Sequence, residues 1–306
     1  MALGILALGH GGGVPGPHSG IVGTHGNTNF ALIPDIDLDW VKKMIGPVQF
    51  ARADGLHVGH IMNELLAQQP YYLIDCGPET ALRLCGVFGS TPCAHNLKSI
   101  FLTHCHDDHS GGLKALAYRT RFIEKYKPTL VYPEELRQLV LNQTDEFNYL
   151  NASAKGSDCG LGSFYHVIQM PRDSTFAMHG ESNLLFKINP FPVNHNCFSP
   201  EGKPFPAFGY TITTPSGKTV LFSGDTAFPT GMGNFAADLI VHDVQFYNDG
   251  SKGDHVHCPY AWLRDAAAPA YRSNFWLTHT GHDLPPEVKA DGFAGLLQQG
   301  LLLTVE

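Results

Sequence analysis

The chain has 306 residues and a globular composition, 43% hydrophobic and 16% charged, so it can bury a large core without disulfide support. Its formal net charge of −8 argues against a large nucleic-acid footprint, which shows as a basic face. Seven cysteines, an odd number with no Cys-x-x-Cys pair, argue against a disulfide scaffold and suit a reduced, cytoplasmic protein.

Met1 to Leu8 is apolar but short, lacks a basic leader and runs into glycines, so it reads as a first strand and not a signal peptide. No apolar run reaches the roughly 18 residues of a membrane-spanning helix. The Gly/Pro density of 9–17 marks a loop, and Asn29 to Ile33 a second strand. Residues 35–68 are read as an insertion, with His57 and His60 inside it. Tyr71 to Ile74 is a strand that turns at Asp75-Cys76-Gly77, and Pro78 opens a helix. Ser99 to Thr103 is a buried strand. After it, Leu113, Leu116, Ala117 and Ile123 share one helical face. Thr129 to Tyr132 is a strand, and a helix starts at Pro133. Residues 142–160 are polar and read as a loop or lid. Strands follow at 164–170, 184–191, 208–213, 219–222 and 239–241, then a helix near 259–268 and a strand at 275–277. A final amphipathic helix is expected from Pro286 to Gln298. Strands and helices mix without repeat or linker, which predicts one α/β domain over 1–306. The segments 35–68 and 142–160 are candidate insertions that wall a pocket.

The most informative segment is His104-Cys105-His106-Asp107-Asp108-His109. It follows the buried strand 99–103 and precedes a helix. Imidazole and carboxylate together suit zinc, manganese or iron, and a strand end is a rigid place from which to aim them. Three further residues stand in the same position after later strands: His195, Asp225 and His279. A single histidine after a strand is usually structural. Four such placements, with H-x-H-x-D-H as the first, point to a metal centre.

These residues, in this order, resemble the metallo-β-lactamase superfamily of hydrolases, over nearly the whole chain from the first strand to His279. The resemblance implies a four-layer αββα sandwich with two divalent metal ions, zinc first and manganese or iron also accepted, at one edge between the sheets. Carried over residue by residue, His104, His106 and His195 hold the first ion. Asp108, His109 and His279 hold the second, and Asp225 bridges both. Two such cations share a water, lower its pKa toward neutrality and polarise the bond to be cut; the bridging hydroxide is the nucleophile. Cys105 reads as a small packing residue and Asp107 as a variable position.

Within the superfamily the pattern is most similar to the RNase Z and phosphodiesterase-like branch. Leu8-Gly9-His10-Gly11-Gly12-Gly13-Val14-Pro15 resembles its opening, with His10 in place of a small hydroxyl residue, and Asn27-Thr28-Asn29-Phe30 its polar strand start. His257 stands where the branch places a general acid that protonates the leaving oxygen, with His255 as the alternative. Asp243, in Leu239-Ile240-Val241-His242-Asp243, stands where the branch carries a supporting glutamate. Asp108 and His257 are thus the catalytic candidates. The expected substrate is a small phosphodiester, such as a cyclic nucleotide, rather than a large RNA, with no membrane partner and a homodimer in keeping with the branch. A carboxylic ester, lactone or thioester hydrolase is the alternative, since His109-Ser110-Gly111-Gly112 also occurs in glyoxalase II-like proteins. A binding or sensor protein is disfavoured because every expected ligand is present. His10, His18, His25, His57, His60, His242 and His282 receive no role.

Overall fold

The computed structural model describes residues 2–9, 29–45, 56–87, 91–149, 160–198, 202–228, 237–246, 255–280 and 287–306. His10, His18, His25 and His282 lie outside the described residues, as do 10–15 of the glycine-rich opening, 46–55 of the first candidate insertion and 150–159 of the second.

Two mixed sheets pack face to face. The first contains β1 (Leu3–Ala7), β2 (Phe30–Pro34), β3 (Leu56–His57), β4 (Tyr71–Ile74), β5 (Leu97–Phe101), β6 (Thr129–Pro133), β7 (His166–Met170) and β15 (Leu301–Val305). The second contains β8 (Phe176–His179), β9 (Leu184–Val193), β10 (Ala207–Thr213), β11 (Thr219–Phe222), β12 (Leu239–Asp243), β13 (Phe275–Thr278) and β14 (Gly295–Leu296). In space the first runs β3-β15-β1-β2-β4-β5-β6-β7 and the second β14-β13-β12-β11-β10-β9-β8.

The strands β1, β2 and β4 are apolar on both faces because both are covered. Successive side chains point to opposite faces. Leu3, Ile5 and Ala7 therefore enter the core between the sheets, while Leu6 and Leu8 enter the core under the helices. Tyr72 and Ile74 part from Tyr71 and Leu73 in the same way. The outer core is closed by α1 (Leu38–Ile45), α2 (Met62–Gln68), α3 (Pro78–Leu84), α5 (Leu113–Tyr118) and α6 (Arg137–Gln143), with the short α4 (Asp107–Ser110) between α3 and α5. On the far side α7 (Tyr260–Ala266) covers the second sheet through Tyr260 and Leu263, against Ile240, Phe275 and Leu277. The layers are therefore αββα, as expected. Among the described residues, no helix is long and apolar enough to cross a membrane.

Three sequence expectations need correction. The final helix does not form: 287–294 is a series of turns, followed by β14 and β15. Gly292, Gly295 and Gly300 carry φ of 90°, 154° and 78°, outside the helical basin. The apolar run after them pairs antiparallel with β1, Leu3 opposite Val305. Ile123 does not share the buried face of α5; it is 60% exposed. Residues Arg119–Ile123 form a π-helical turn, whose wider spacing buries Thr120 instead. The strand β8 has no counterpart in the sequence reading, because its apolar run, Phe176-Ala177-Met178, is only three residues long and only half-buried.

The described parts of 35–68 fold as α1, β3 and α2 on the first sheet, Leu302 of β15 pairing with Leu56. Within the second candidate insertion Thr144 and Phe147 are buried, and Phe147 stacks on Phe164 at 4.3 Å. Strands β4, β5 and β6 run parallel, as do β11, β12 and β13. Their carboxyl ends meet at one edge of the sandwich, where the histidines gather.

Candidate metal centre

The site begins where β5 stops. Thr103 donates its backbone N–H to Asp75 Oδ1 at 2.8 Å and its hydroxyl to Asp75 Oδ2 at 2.7 Å. Its hydroxyl hydrogen being spent there, the Thr103 oxygen can only accept from His104 Nδ1, 3.0 Å away. That fixes the tautomer and turns the His104 Nε2 lone pair into the site. His109 repeats the arrangement, its Nδ1 lying 2.8 Å from Asp75 Oδ2. His195 directs Nδ1 to the Val256 carbonyl at 3.1 Å. Three imidazoles thus have one nitrogen anchored to an acceptor and the other presented, the arrangement found around metal-binding histidines.

The presented atoms converge. His106 Nδ1 lies 3.1 Å from His104 Nε2 and 3.0 Å from His195 Nε2. Three lone-pair nitrogens this close repel unless a cation or proton sits among them. Donors around a tetrahedral ion at about 2.0–2.1 Å are themselves about 3.3 Å apart, so the spacing suits a metal. A second set is Asp108, His109 and His279: Asp108 Oδ2 is 3.5 Å from Nε2 of each histidine. Asp225 sits between the sets. It approaches His104 at 3.6 Å and His195 at 3.9 Å on one side, and His109 and His279 at 3.3 Å on the other. His109 Nε2 and both ring nitrogens of His279 are buried without a hydrogen bond among the described residues, the state of ligands made for an ion. The donor set, five imidazoles and two carboxylates, fits two borderline cations such as zinc.

Electrostatics divide the two sets. Burial holds His104 well below the ordinary histidine range and takes His195 down to about 4; burial also lowers His106. These three are neutral near pH 7, as a metal requires. Burial also opposes charge on His109 and His279, but Asp225, with Asp75 and Asp108 at His109 and Asp108 and Asp243 at His279, outweighs it. His109 is held well above its ordinary value and His279 at about 9. Asp108 and Asp225 sit well below theirs despite burial, through these same histidines.

Gly224 lets Asp225 reach the centre. Its φ is 60°, and a Cβ there would stand 2.4 Å from the Phe208 carbonyl oxygen, so only glycine fits. Asp107 is exposed and stands outside both sets. Cys105 is half-buried, its thiol pushed up to about 12 by burial, and packs against the outer core.

Beside the second set, His257 lies face to face with His279, ring centroids 4.1 Å apart. Its Nδ1 is 2.9 Å from Asp243 Oδ2. Asp243 therefore makes this contact although it is one methylene shorter than the glutamate expected there. His255 instead meets Trp262 edge-on at 5.4 Å, so His257 is the histidine that faces the cluster. His242 turns away, its Nδ1 against the Asp243 carbonyl oxygen.

Sequence reading missed four residues here. By sequence Asp75 reads only as a turn, yet it follows an apolar strand as the other site residues do. Its φ of 63° is rare for an aspartate. Thr103 reads only as the strand end. Asn29 accepts from the Gly77 N–H at 2.7 Å and donates to the Asp108 carbonyl at 3.3 Å, tying β2 to the hexapeptide. Phe205 stacks on His106 at 4.6 Å and 16°; only its aromatic character marks it in sequence.

A family model described as "Anti-Pycsar protein Apyc1" matches residues 57–303. A ribonuclease Z from Prochlorococcus marinus is 27% identical over 158 residues, which is 51% of this chain and 44% of that protein. The chain therefore spans less than half the length of that relative. An anti-Pycsar protein Apyc1 from Bacillus phage BSP38 is 23% identical over 218 residues, covering 69% of this chain and 78% of that one. Among solved structures, the metallo-β-lactamase fold protein YhfI from Bacillus subtilis superposes with a TM-score of 0.62 at 16% identity, each chain covered in full. The likeness in fold is to the metallo-β-lactamase sandwich.

Proposed function

This chain belongs to the anti-Pycsar protein Apyc1 family, within the RNase Z and phosphodiesterase-like branch of the metallo-β-lactamase superfamily, and from that premise we propose a dinuclear metal phosphodiesterase acting on small phosphodiesters such as cyclic nucleotides. The single observation that carries the reading is Asp225, placed within 3.3–3.9 Å of four histidines from both sets. One carboxylate shared between two groups of imidazoles is what two neighbouring cations need.

In this reading His104, His106 and His195 would hold one ion and Asp108, His109 and His279 the other, with Asp225 shared between the two sets. Zinc suits the N/O donors best, and manganese or iron are accommodated. When bound, the pair supplies an activated water and a Lewis acid for the phosphoryl oxygen. The remaining work belongs to side chains. Asp75 and Thr103 keep His104 and His109 in one tautomer. Asp243 orients His257 so that Nε2, opposite the anchored Nδ1, gives its proton to the departing oxygen. The charge of −8 supports a small substrate over a long polyanion. Residues 1–306 are taken as one domain, acting in the cytoplasm and able to form a homodimer.

The test compares substrates on the metal-loaded chain. Bis-p-nitrophenyl phosphate should be cleaved much faster than p-nitrophenyl acetate or a homoserine lactone; the reverse ranking establishes the ester or lactone hydrolase instead. Elemental analysis should return close to two transition-metal ions per chain.

A further inference from the structure

We propose that Phe228 and Trp262 form the wall on which the substrate's planar base stacks, so that Trp262 sets the preference for nucleoside phosphodiesters; this rests on the phosphodiesterase reading above. The two rings are parallel within 16°, centroids 5.1 Å apart. Both are tied to the metal centre by short stretches of chain. Phe228 follows Asp225 by three residues, and Thr226 fixes that turn by donating its hydroxyl to the Phe228 carbonyl at 2.7 Å. Trp262 lies in the first turn of α7, five residues after His257, with its backbone N–H donated to the Pro259 carbonyl. His255 packs edge-on against Trp262. Its carbonyl accepts from Asn196, the neighbour of His195.

Trp262 is nevertheless 36% exposed, whereas Phe205 already stacks on His106. A large indole backed by a second ring, partly exposed and only five residues after His257, has the properties of a stacking platform. Every nucleobase offers a π-face, so the wall favours a base over an alkyl group without choosing among bases. The carboxylates of the centre give no such preference, since they act on the phosphodiester that all substrates share.

The experiment uses the full metal-loaded chain and two probes with the same six-membered cyclic phosphodiester: uridine 3′,5′-cyclic monophosphate, and 1,3-propanediol cyclic phosphate, which has no base. The wild type should prefer the nucleotide. Trp262→Ala should lower the ratio of kcat/KM values about tenfold, within the range for loss of one base–aromatic stack. The loss should fall in KM for the nucleotide, and Trp262→Tyr should restore most of it. Phe205→Ala should affect both probes alike, through His106. An unchanged ratio in Trp262→Ala overturns the proposal. A second readout is independent of turnover: the nucleotide should quench tryptophan fluorescence, and Trp262→Phe should abolish the quench while Trp40 and Trp276 remain. Quenching that survives Trp262→Phe, or that never occurs, also overturns it. A chain that cleaves neither probe but shows the Trp262-dependent quench refutes the phosphodiesterase and keeps the wall.

Discussion

Asp243 touches His257 with one carboxylate oxygen and faces His279 with the other. Oδ2 lies 2.9 Å from His257 Nδ1, and Oδ1 lies 3.8 Å from His279 Nδ1. One aspartate therefore orients a candidate acid by a hydrogen bond and places its other oxygen beside a candidate ligand without one. The two roles separate by substitution. His257→Ala should retain both metals and lose roughly 10²–10⁴-fold in kcat for poor leaving groups, with a much smaller loss for p-nitrophenolate. Asp243→Asn should show that loss together with weaker metal binding. Equal losses across leaving groups in His257→Ala would remove the acid role.

Asp225→Asn keeps the size of the side chain and halves its ability to span two cations. Metal content should fall from about two ions to one or fewer per chain, measured by elemental analysis after dialysis. Two tightly held ions in the variant would contradict the bridging role.

Asp75 contacts no candidate substrate-facing atom but anchors His109 and Thr103. Removing such an outer partner typically costs 10–100-fold in metal affinity. Asp75→Asn should shift the metal competition curve by that factor, in a chelator titration, and leave the fold cooperative.

The metal-free protein should be most stable near pH 6.5. Folded His195 titrates at about 4, below its unfolded value of about 6.5. The folded state binds fewer protons, so this contribution is complete above 6.5 and lost as pH falls toward about 4. His279 titrates at about 9, so its contribution is complete below 6.5 and lost as pH rises through 9. Tm measured from pH 4 to 9 should therefore peak in between. Metal loading should flatten the alkaline side, because the cation replaces the proton on His279. A metal-free Tm that climbs steadily to pH 9 would contradict the placement of His279 among carboxylates.

Gly224→Ala should destabilise by about 2 kcal/mol or more, since an alanine pays for the left-handed backbone and for overlap with the Phe208 carbonyl. Denaturant unfolding measures it. An undiminished midpoint would mean that the strand end tolerates another path for Asp225.

Most of the centre was legible in the sequence because ligands at strand ends are marked by the apolar run before them. His104, His195, Asp225 and His279 each follow one. Asp75 follows one too, but its neighbours Cys76-Gly77-Pro78 read as a turn, and a turn alone accounts for an aspartate. Phe205 and Asn29 act through space, by stacking on His106 and by bridging β2 to the hexapeptide, and no local pattern records either contact. In the fold, continuous apolar runs exposed the central strands. The C-terminal end misled because Val288, Phe293 and Leu297 are buried at near-helical spacing, while the glycines between them break the helix. The π-helical turn at 119–123 shifted the buried face by an angle that an ideal helical period does not contain.

The pairing of Leu3 with Val305 has a consequence for biosynthesis. The strand β1 leaves the ribosome long before its neighbour β15, because almost the whole described fold lies between them in sequence. Until then one hydrogen-bonding edge of β1 stays open, flanked by Ile5 and Leu6, which the finished protein hides completely. Contacts of such long sequence separation form slowly, and an open apolar edge invites pairing with other chains. Production in a cell should therefore depend on chaperone supply and on slow growth temperature more than the stability of the completed sandwich would suggest.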